Sequence, residues 1–272
     1  MTTFRNDFMS DLRYLYLNFS FEFLKHIKRK RLLMVVALTI FIPLIFYVIP
    51  PAFNIDYAET ANEFAQSNLG FVTLLIIISG AVFAGDAVSG EFEKKTGLLL
   101  FPTPQRRTSI FVGKFIAALI ATFLVVILYY LITLLEIVQI YGLSEISIEL
   151  LKSFLLAMIY ATSVVAIIYF FSSILKRTIT SALIGFFLLM MILPIITSVL
   201  MFVEVDPWFI VTHSASLITD VLGVGGGFQT GPRGVDLSSF DPDFYIGIGV
   251  MAAYTIFFFF VGIIIAKRRK ME

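Results

Sequence analysis

The chain has 272 residues, 59% of them apolar and only 14% charged, with 30 phenylalanines, no cysteine and a net charge of +1. A soluble domain averages about 45–50% apolar and about 25% charged residues, so this composition excludes an ordinary soluble fold. The absence of cysteine excludes disulfides and thiolate metal sites, and 272 residues leave no room for a soluble catalytic domain beside a membrane bundle.

The chain opens without a short apolar run and small-residue cleavage site, so no cleavable signal is expected. Instead Phe4, Phe8, Leu12, Leu15, Phe19, Phe23 and Ile27 recur at three- and four-residue spacing, with Asp7, Asp11, Asn18, Glu22 and Lys25 elsewhere on the wheel. That pattern predicts an amphipathic helix over residues 1–30, whose basic end abuts the first apolar run. Two readings fit it. The helix is an interfacial elbow with its Lys/Arg cluster on anionic headgroups, or those basic residues simply anchor the first span.

A hydrocarbon core of ~30 Å takes about 20 apolar residues per helix. Six runs of that kind follow, at residues 32–50, 69–88, 110–140, 150–175, 179–203 and 244–266. The third exceeds a straight crossing, which implies tilt or projection into water. Lys176, Arg177 and Thr178 alone separate the fourth and fifth, which reads as a tight helical hairpin. Pro43 and Pro194 are expected to kink their helices. The expected layout is an all-α bundle over 31–266, followed by a basic tail at 267–272.

Eighteen of the 20 Lys and Arg residues fall on one side of this layout, leaving only Lys152 and Arg233 on the other. By the positive-inside effect the rich side is cytoplasmic, and it carries both termini. The acidic residues Asp56, Glu59, Glu63, Glu145, Glu149, Glu204, Asp206, Asp220, Asp236, Asp241 and Asp243 gather opposite.

Within the spans polar groups are few. Glu136 and Gln139 sit near the outer end of the third, and Asp86 near the cytoplasmic end of the second. An intramembrane carboxylate marks a functional site by default, so these three are candidate pathway residues. The competing expectation is that Glu136 is solvated from outside and Asp86 reaches cytoplasmic water.

The outer loop 204–243 carries Phe209, Ile210, Leu217, Ile218 and Val221 at roughly helical spacing, which suggests an amphipathic or re-entrant helix, before a glycine-rich stretch. His213 has no metal-ligand companion there and reads as structural. No HExxH or GxSxG motif is present, so nothing points to an intramembrane enzyme.

The cytoplasmic connection from 85 to 115, GDAVSGEFEKKTGLLLFPTPQRRTSIFVGKF, begins charged and then turns apolar at 98–101. Pro102 and Pro104 punctuate it, and Arg106, Arg107 and Lys114 lead it into the third span. A short helix is expected from about Glu91, broken at the prolines. The apolar strip must be covered by the membrane surface, the bundle itself or a soluble partner.

The Ser-Gly-Glu entry, the charges, Thr-Gly, the Leu-rich strip, Pro, Arg and Gly-Lys together resemble ABC-2-type transporter permeases. The six-helix layout, elbow helix and long outer loop extend the likeness along the chain. In that family the connection contains a coupling helix that docks on a cytosolic ATPase. The resemblance carries this role to the loop at 90–109 and to Glu91, Glu93, Thr96, Gly97, Leu98, Leu100, Pro104, Arg107, Gly113 and Lys114. The order here is Lys-Thr-Gly-Leu, whereas many members read Gly-Thr after a basic residue.

The chain lacks a GxxxxGK[ST] phosphate-binding loop, since Gly113-Lys114 has no glycine at the required upstream spacing and runs into Phe115. ATP and Mg²⁺ would therefore reside on a separate ATPase, expected in two copies, with no cofactor, metal or catalytic residue in this chain. Six helices would form half of a twelve-helix pathway, completed by a second copy or a similar permease. The resemblance implies an exporter in the plasma membrane, with the bilayer but no nucleic acid as partner. A secondary transporter or channel subunit not driven by ATP is the rival reading. It would ordinarily show inverted repeats, discontinuous helices or several mid-membrane charges, and none is plain here.

Overall fold

The computed structural model describes residues 2–28, 30–95, 105–223 and 240–269. All regular structure among them is helical. The helices are α1 (Thr2–Lys28), α2 (Lys30–Ala52), α3 (Ala61–Leu69), α4 (Val72–Ala84), α5 (Ser89–Glu93) and α6 (Arg107–Ile140). After a short 3₁₀ turn come α7 (Ile148–Ile174), α8 (Thr178–Phe187), α9 (Leu193–Phe202), α10 (Val211–Ser214), α11 (Leu217–Asp220) and α12 (Phe244–Arg268). Among the described residues, six segments are long and apolar enough to cross a membrane: Lys30–Ala52, Ala61–Glu93, Arg107–Ile140, Ile148–Ile174, Thr178–Phe202 and Phe244–Arg268. The chain is an all-helical, multi-pass membrane protein.

Five of the six spans begin and end within a few residues of expectation, but the second is longer. It starts at Ala61, where the Thr60 side chain accepts the Glu63 N–H at 3.3 Å while the Glu63 carboxylate accepts the Glu59 N–H. This Thr-x-x-Glu cap is a helix start that apolar counting misses, because the first turns of α3 are polar. Gly70 and Phe71 keep right-handed helical dihedrals, so α3 runs on into α4.

The second, third and fourth spans form the interior, and the first and fifth expose most of their surface. α4, α6 and α7 enclose Phe83, Phe111, Tyr129, Tyr160 and Tyr169, all fully buried. α12 lies along α7, where Ser163 Oγ donates to the Met251 carbonyl at 2.8 Å. α2 remains helical through Pro43, whereas the fifth span responds to Pro194. The turn before it, Leu188–Ile192, is a π-helix, which absorbs the hydrogen bond that proline cannot make.

In the outer loop the expected single helix is two short ones, α10 and α11, separated at Ala215–Ser216 by an i,i+3 turn from the Ser216 N–H to the His213 carbonyl. They bury Val211, His213, Leu217 and Ile218, packing on α12, α7 and α3. The glycine-rich stretch 224–239 lies outside the described residues, as do the side chains of Phe4, Phe8 and Leu12.

Candidate functional site

α1 packs along α6 and supplies half of the site. At the crossing, a Cβ on Gly113 would lie 2.9 Å from Asn18 Cβ, 3.1 Å from the Leu15 carbonyl oxygen and 3.1 Å from the Phe19 nitrogen. Two of those neighbours are backbone, so only glycine lets the helices approach this closely. The approach sets the next residue, Lys114, against α1.

Lys114 is 4% exposed, and its ammonium meets Glu22 of α1 at 3.1 Å and Glu91 of α5 at 2.6 Å. Glu22 also pairs with Lys25. Lys25 lies 4.0 Å from Asp86, whose carboxylate accepts from Arg31 at 3.1 Å. The result is a chain of three cations and three carboxylates linking α1, α2, α5, α6 and the end of α4. Burial pushes the Glu22 carboxyl up, but Lys114 first and Lys25 second outweigh it and hold the group at about 2. A buried ammonium between two carboxylates is stable only while both partners stay, because each charge has given up its water.

The helical wheel sets Glu22 and Asn18 off the apolar stripe. The structure turns both inward instead. Glu22 is buried against Lys114, and Asn18 donates to Gln105 at 2.9 Å. Tyr16, Leu17, Phe21, Leu24 and Ile27 make up the exposed face, so this half of α1 is apolar outward and carries its charge inward.

The other side of α5 is fixed by hydroxyls. The Val88 and Ser89 N–H groups donate to Ser172 Oγ of α7 at 3.0 and 3.1 Å, and Ser89 Oγ lies 3.2 Å from Ser181 Oγ of α8. Ser181 also donates to the Gly85 carbonyl. Here too the approach needs glycine, since a Cβ on Gly85 would lie 2.7 Å from Ala182 Cβ. The Glu93 carboxylate accepts from the Thr178 N–H at 2.8 Å and from its hydroxyl, placing an anion at the start of α8. Arg269, just past α12, stacks 4.0 Å from the Phe92 ring centre and donates to the Ser173 and Leu175 carbonyls at 2.9 and 3.0 Å. Arg107 donates to the Lys267 carbonyl at 3.4 Å. The short helix α5 is thus bonded to the third, fourth and fifth spans and to Arg269 just past the sixth.

Of the sequence-predicted loop residues, Glu91, Lys114 and Glu93 fall in or beside this node, Gly113 creates it, and Arg107 joins its edge. The helix begins two residues before Glu91 and ends at Glu93, well ahead of the prolines, with Lys95 at φ 55. Thr96, Gly97, Leu98, Leu100 and Pro104 lie outside the described residues. Arg31, Ser172, Ser181 and Arg269 were not singled out by sequence, and Glu22, Lys25 and Thr178 were named only for their places on the wheel and in the turn, not as site residues.

The three candidate pathway residues do not come together. Asp86 is 3% exposed and tied into the ionic chain, so it does not open to water. Glu136, 5% exposed, is not solvated either. It accepts from Asn68 Nδ2 at 2.8 Å, and Tyr129 donates to the Asn68 carbonyl at 2.7 Å. α3, which the apolar count left out, supplies that Asn68. Gln139 is exposed on the same helix.

Residues 19–192 match the family model described as ABC-2 family transporter protein. The chain belongs to the ABC-2 transporter family. The match runs from Phe19 of α1 into the π-helical turn and includes every member of the ionic chain. No curated protein matches the chain. An ABC-2 permease is the membrane subunit of an ABC transporter system, which also has an ATPase partner.

Proposed function

We propose that this ABC-2 permease is the transmembrane subunit of an ATP-driven exporter, working as a two-fold pair over two copies of a cytosolic ATPase that holds the ATP and Mg²⁺. In this reading the side with 18 of the 20 basic residues faces the cytoplasm, both termini lie there, and α1 rests in the inner leaflet of the plasma membrane. The ATPase docks on the connection at 90–109. Export is the direction that the family resemblance implies.

The observation that carries the reading is Lys114, buried between Glu91 at the head of the connection and Glu22 on α1. Closure of the ATPases would push on the connection, and the push would enter the bundle through α5. Ionic and hydroxyl contacts to α1, α6, α7 and α8 then pass it on without the slip that apolar surfaces allow. The Arg269 contacts carry it to α12.

The test is a native pull-down of the full chain, followed by ATP hydrolysis and transport in vesicles. A subunit with a phosphate-binding loop should be recovered. Replacing residues 98–101 by serine should release it, while Glu91→Gln should keep it bound but lower transport per ATP about tenfold, as loss of one charge-assisted contact predicts. Recovery of no ATPase, together with wild-type transport by Glu91→Gln, would sink the reading.

A further inference from the structure

At the end of the bundle opposite the node, α3 meets α6 through polar side chains. Asn68 and Thr133 are fully buried and Glu136 is 5% exposed. Asn68 Nδ2 donates to Glu136 Oε2 at 2.8 Å, and the Tyr129 hydroxyl holds the Asn68 main chain by donating to its carbonyl at 2.7 Å. Three oxygens here have no hydrogen-bond partner in the protein: Glu136 Oε1, Asn68 Oδ1 and Thr133 Oγ1. Thr39, Thr122, Thr162, Thr197 and Thr255 each donate to the carbonyl four residues before them, whereas the Thr133 hydroxyl does not. It lies three residues before Glu136, on the same face of α6.

Among the described residues no cation pairs with the Glu136 carboxyl. Of the charged groups at this end, Glu63 caps α3, Lys152 pairs with Glu149 at 3.9 Å, and Glu145 and Asp220 are exposed. The titratable groups that bear on Glu136 are two phenols, Tyr129 on its own helix and Tyr57 ahead of α3, both uncharged at neutral pH. An ionised carboxylate here would have given up its water for a single amide N–H, which does not offset the cost of burying the charge. A divalent metal suits the cluster no better. Calcium takes about 6–8 oxygens, commonly from several carboxylates, and no second acidic side chain joins Glu136.

We propose that Glu136 is a proton-binding site, holding a proton on Oε1 while α3 is packed on α6. A carboxylic acid and a primary amide are complementary through two hydrogen bonds: the amide N–H donates to one acid oxygen, and the acid O–H donates to the amide oxygen. The first is present, from Asn68 to Oε2. A proton on Oε1 supplies the second, to Asn68 Oδ1, and turns two orphaned acceptors into a donor and its acceptor. The Thr133 hydroxyl then donates to the lone pair remaining on Oε1, so one proton satisfies all three oxygens. The proton thus latches the second span to the third. α3 continues into α4, which leads to α5, so the latch sits on the same span as Glu91 but at its other end. When the proton leaves to water, the charged carboxyl and the amide oxygen are both acceptors, and water must enter between α3 and α6. The latch stands on this contact and does not depend on ATPase docking.

The test is infrared spectroscopy of the full chain in proteoliposomes, taken as wild type minus Glu136→Gln at about pH 6, where exposed carboxyls are ionised. The difference should hold one acid C=O band and no carboxylate band, and transfer to D₂O should lower its frequency. Asn68→Ala should keep the band but raise its frequency, because no amide N–H then draws on the acid oxygen. Glu63→Gln, in the first turn of α3, should leave it in place. The proposal fails if the difference shows carboxylate bands instead, since Glu136 is then ionised. It also fails if the acid band appears in choline chloride but not in sodium chloride, because sodium is then the occupant. A band unmoved by Asn68→Ala overturns the pairing with Asn68. Wild type and Glu136→Gln decide the protonation between them, so the result stands even where Asn68→Ala does not fold.

Discussion

Lys114→Met keeps the length of the side chain at the centre of the node and removes its charge. Glu22 and Glu91 are then left facing each other with the Lys114 attraction gone from both. Holding the Glu22 carboxyl at about 2, against an ordinary value of 4.5, corresponds to about 3 kcal/mol of net stabilisation, shared between the charge of Lys114 and the charge and hydrogen bond of Lys25. Glu91 loses a second contact of the same kind, so the expected loss is about 3–5 kcal/mol, the range for breaking a buried pair from one side. Reversible unfolding of the purified full chain in mixed micelles, titrated with a denaturing detergent, measures it. The informative partner is the triple variant Lys114→Met/Glu22→Gln/Glu91→Gln, which removes the buried charges together. It should recover to within about 1 kcal/mol of wild type, because neutral groups at a buried site no longer require counterions. A single variant within about 1 kcal/mol of wild type, or a triple variant no more stable than the single, would refute the assignment of Lys114 as the buried counterion of both carboxylates.

Three further outcomes follow from the same geometry. Because the folded Glu22 lies below its ordinary value, its contribution is complete above pH 4.5 and is lost as pH falls toward about 2, so stability should drop across that window and Glu22→Gln should flatten the drop. Gly113→Ala forces a Cβ against the α1 backbone and should destabilise the α1–α6 contact by about 1–3 kcal/mol, seen as faster tryptic cleavage at Arg13 and Lys25. Glu136→Gln keeps an acceptor for Asn68 Nδ2 and should stay within about 1 kcal/mol of wild type, whereas Glu136→Leu leaves that donor unpaired and should cost about 1–3 kcal/mol in the same unfolding assay.

The spans were legible because lipid makes one demand that composition answers directly: about 20 apolar residues in a row. What escaped was polar. α3 begins in Ala61, Asn62 and Glu63, residues that dilute an apolar count, and only the Thr60 cap identifies it. Glu22 escaped for a different reason. A wheel sorts residues by polarity and assumes that one face meets water, but here Lys114 waits on α6, so the charged residue turns inward and Phe21 and Leu24 face out. A single sequence holds no sign of that pairing, since residues 22 and 114 lie 92 positions apart. The connection was recognisable by its charges, yet its tethers were not. Ser172, Ser181 and Arg269 are ordinary residues until the fold brings them to α5.

The kind of contact at α5 constrains how the bundle can move. Apolar helix faces slide with little change in energy as long as they stay covered, but a buried ion pair that doubles its separation gives up its hydrogen bond and about half of its attraction while both charges stay without water. Lys114 cannot let go of Glu91 or Glu22 without stranding a charge, so α1, α5 and α6 must travel together whenever the connection is displaced. Motion has to be taken up elsewhere, where the contacts are apolar or the helix is already irregular. The exposed first span and the π-helical turn before Pro194 meet that description. The protein thus divides into a part that is bonded to the connection and a part that can shift against it. The line between them runs through Arg31–Asp86, the one ion pair in the chain of charges whose basic member is half exposed to its surroundings.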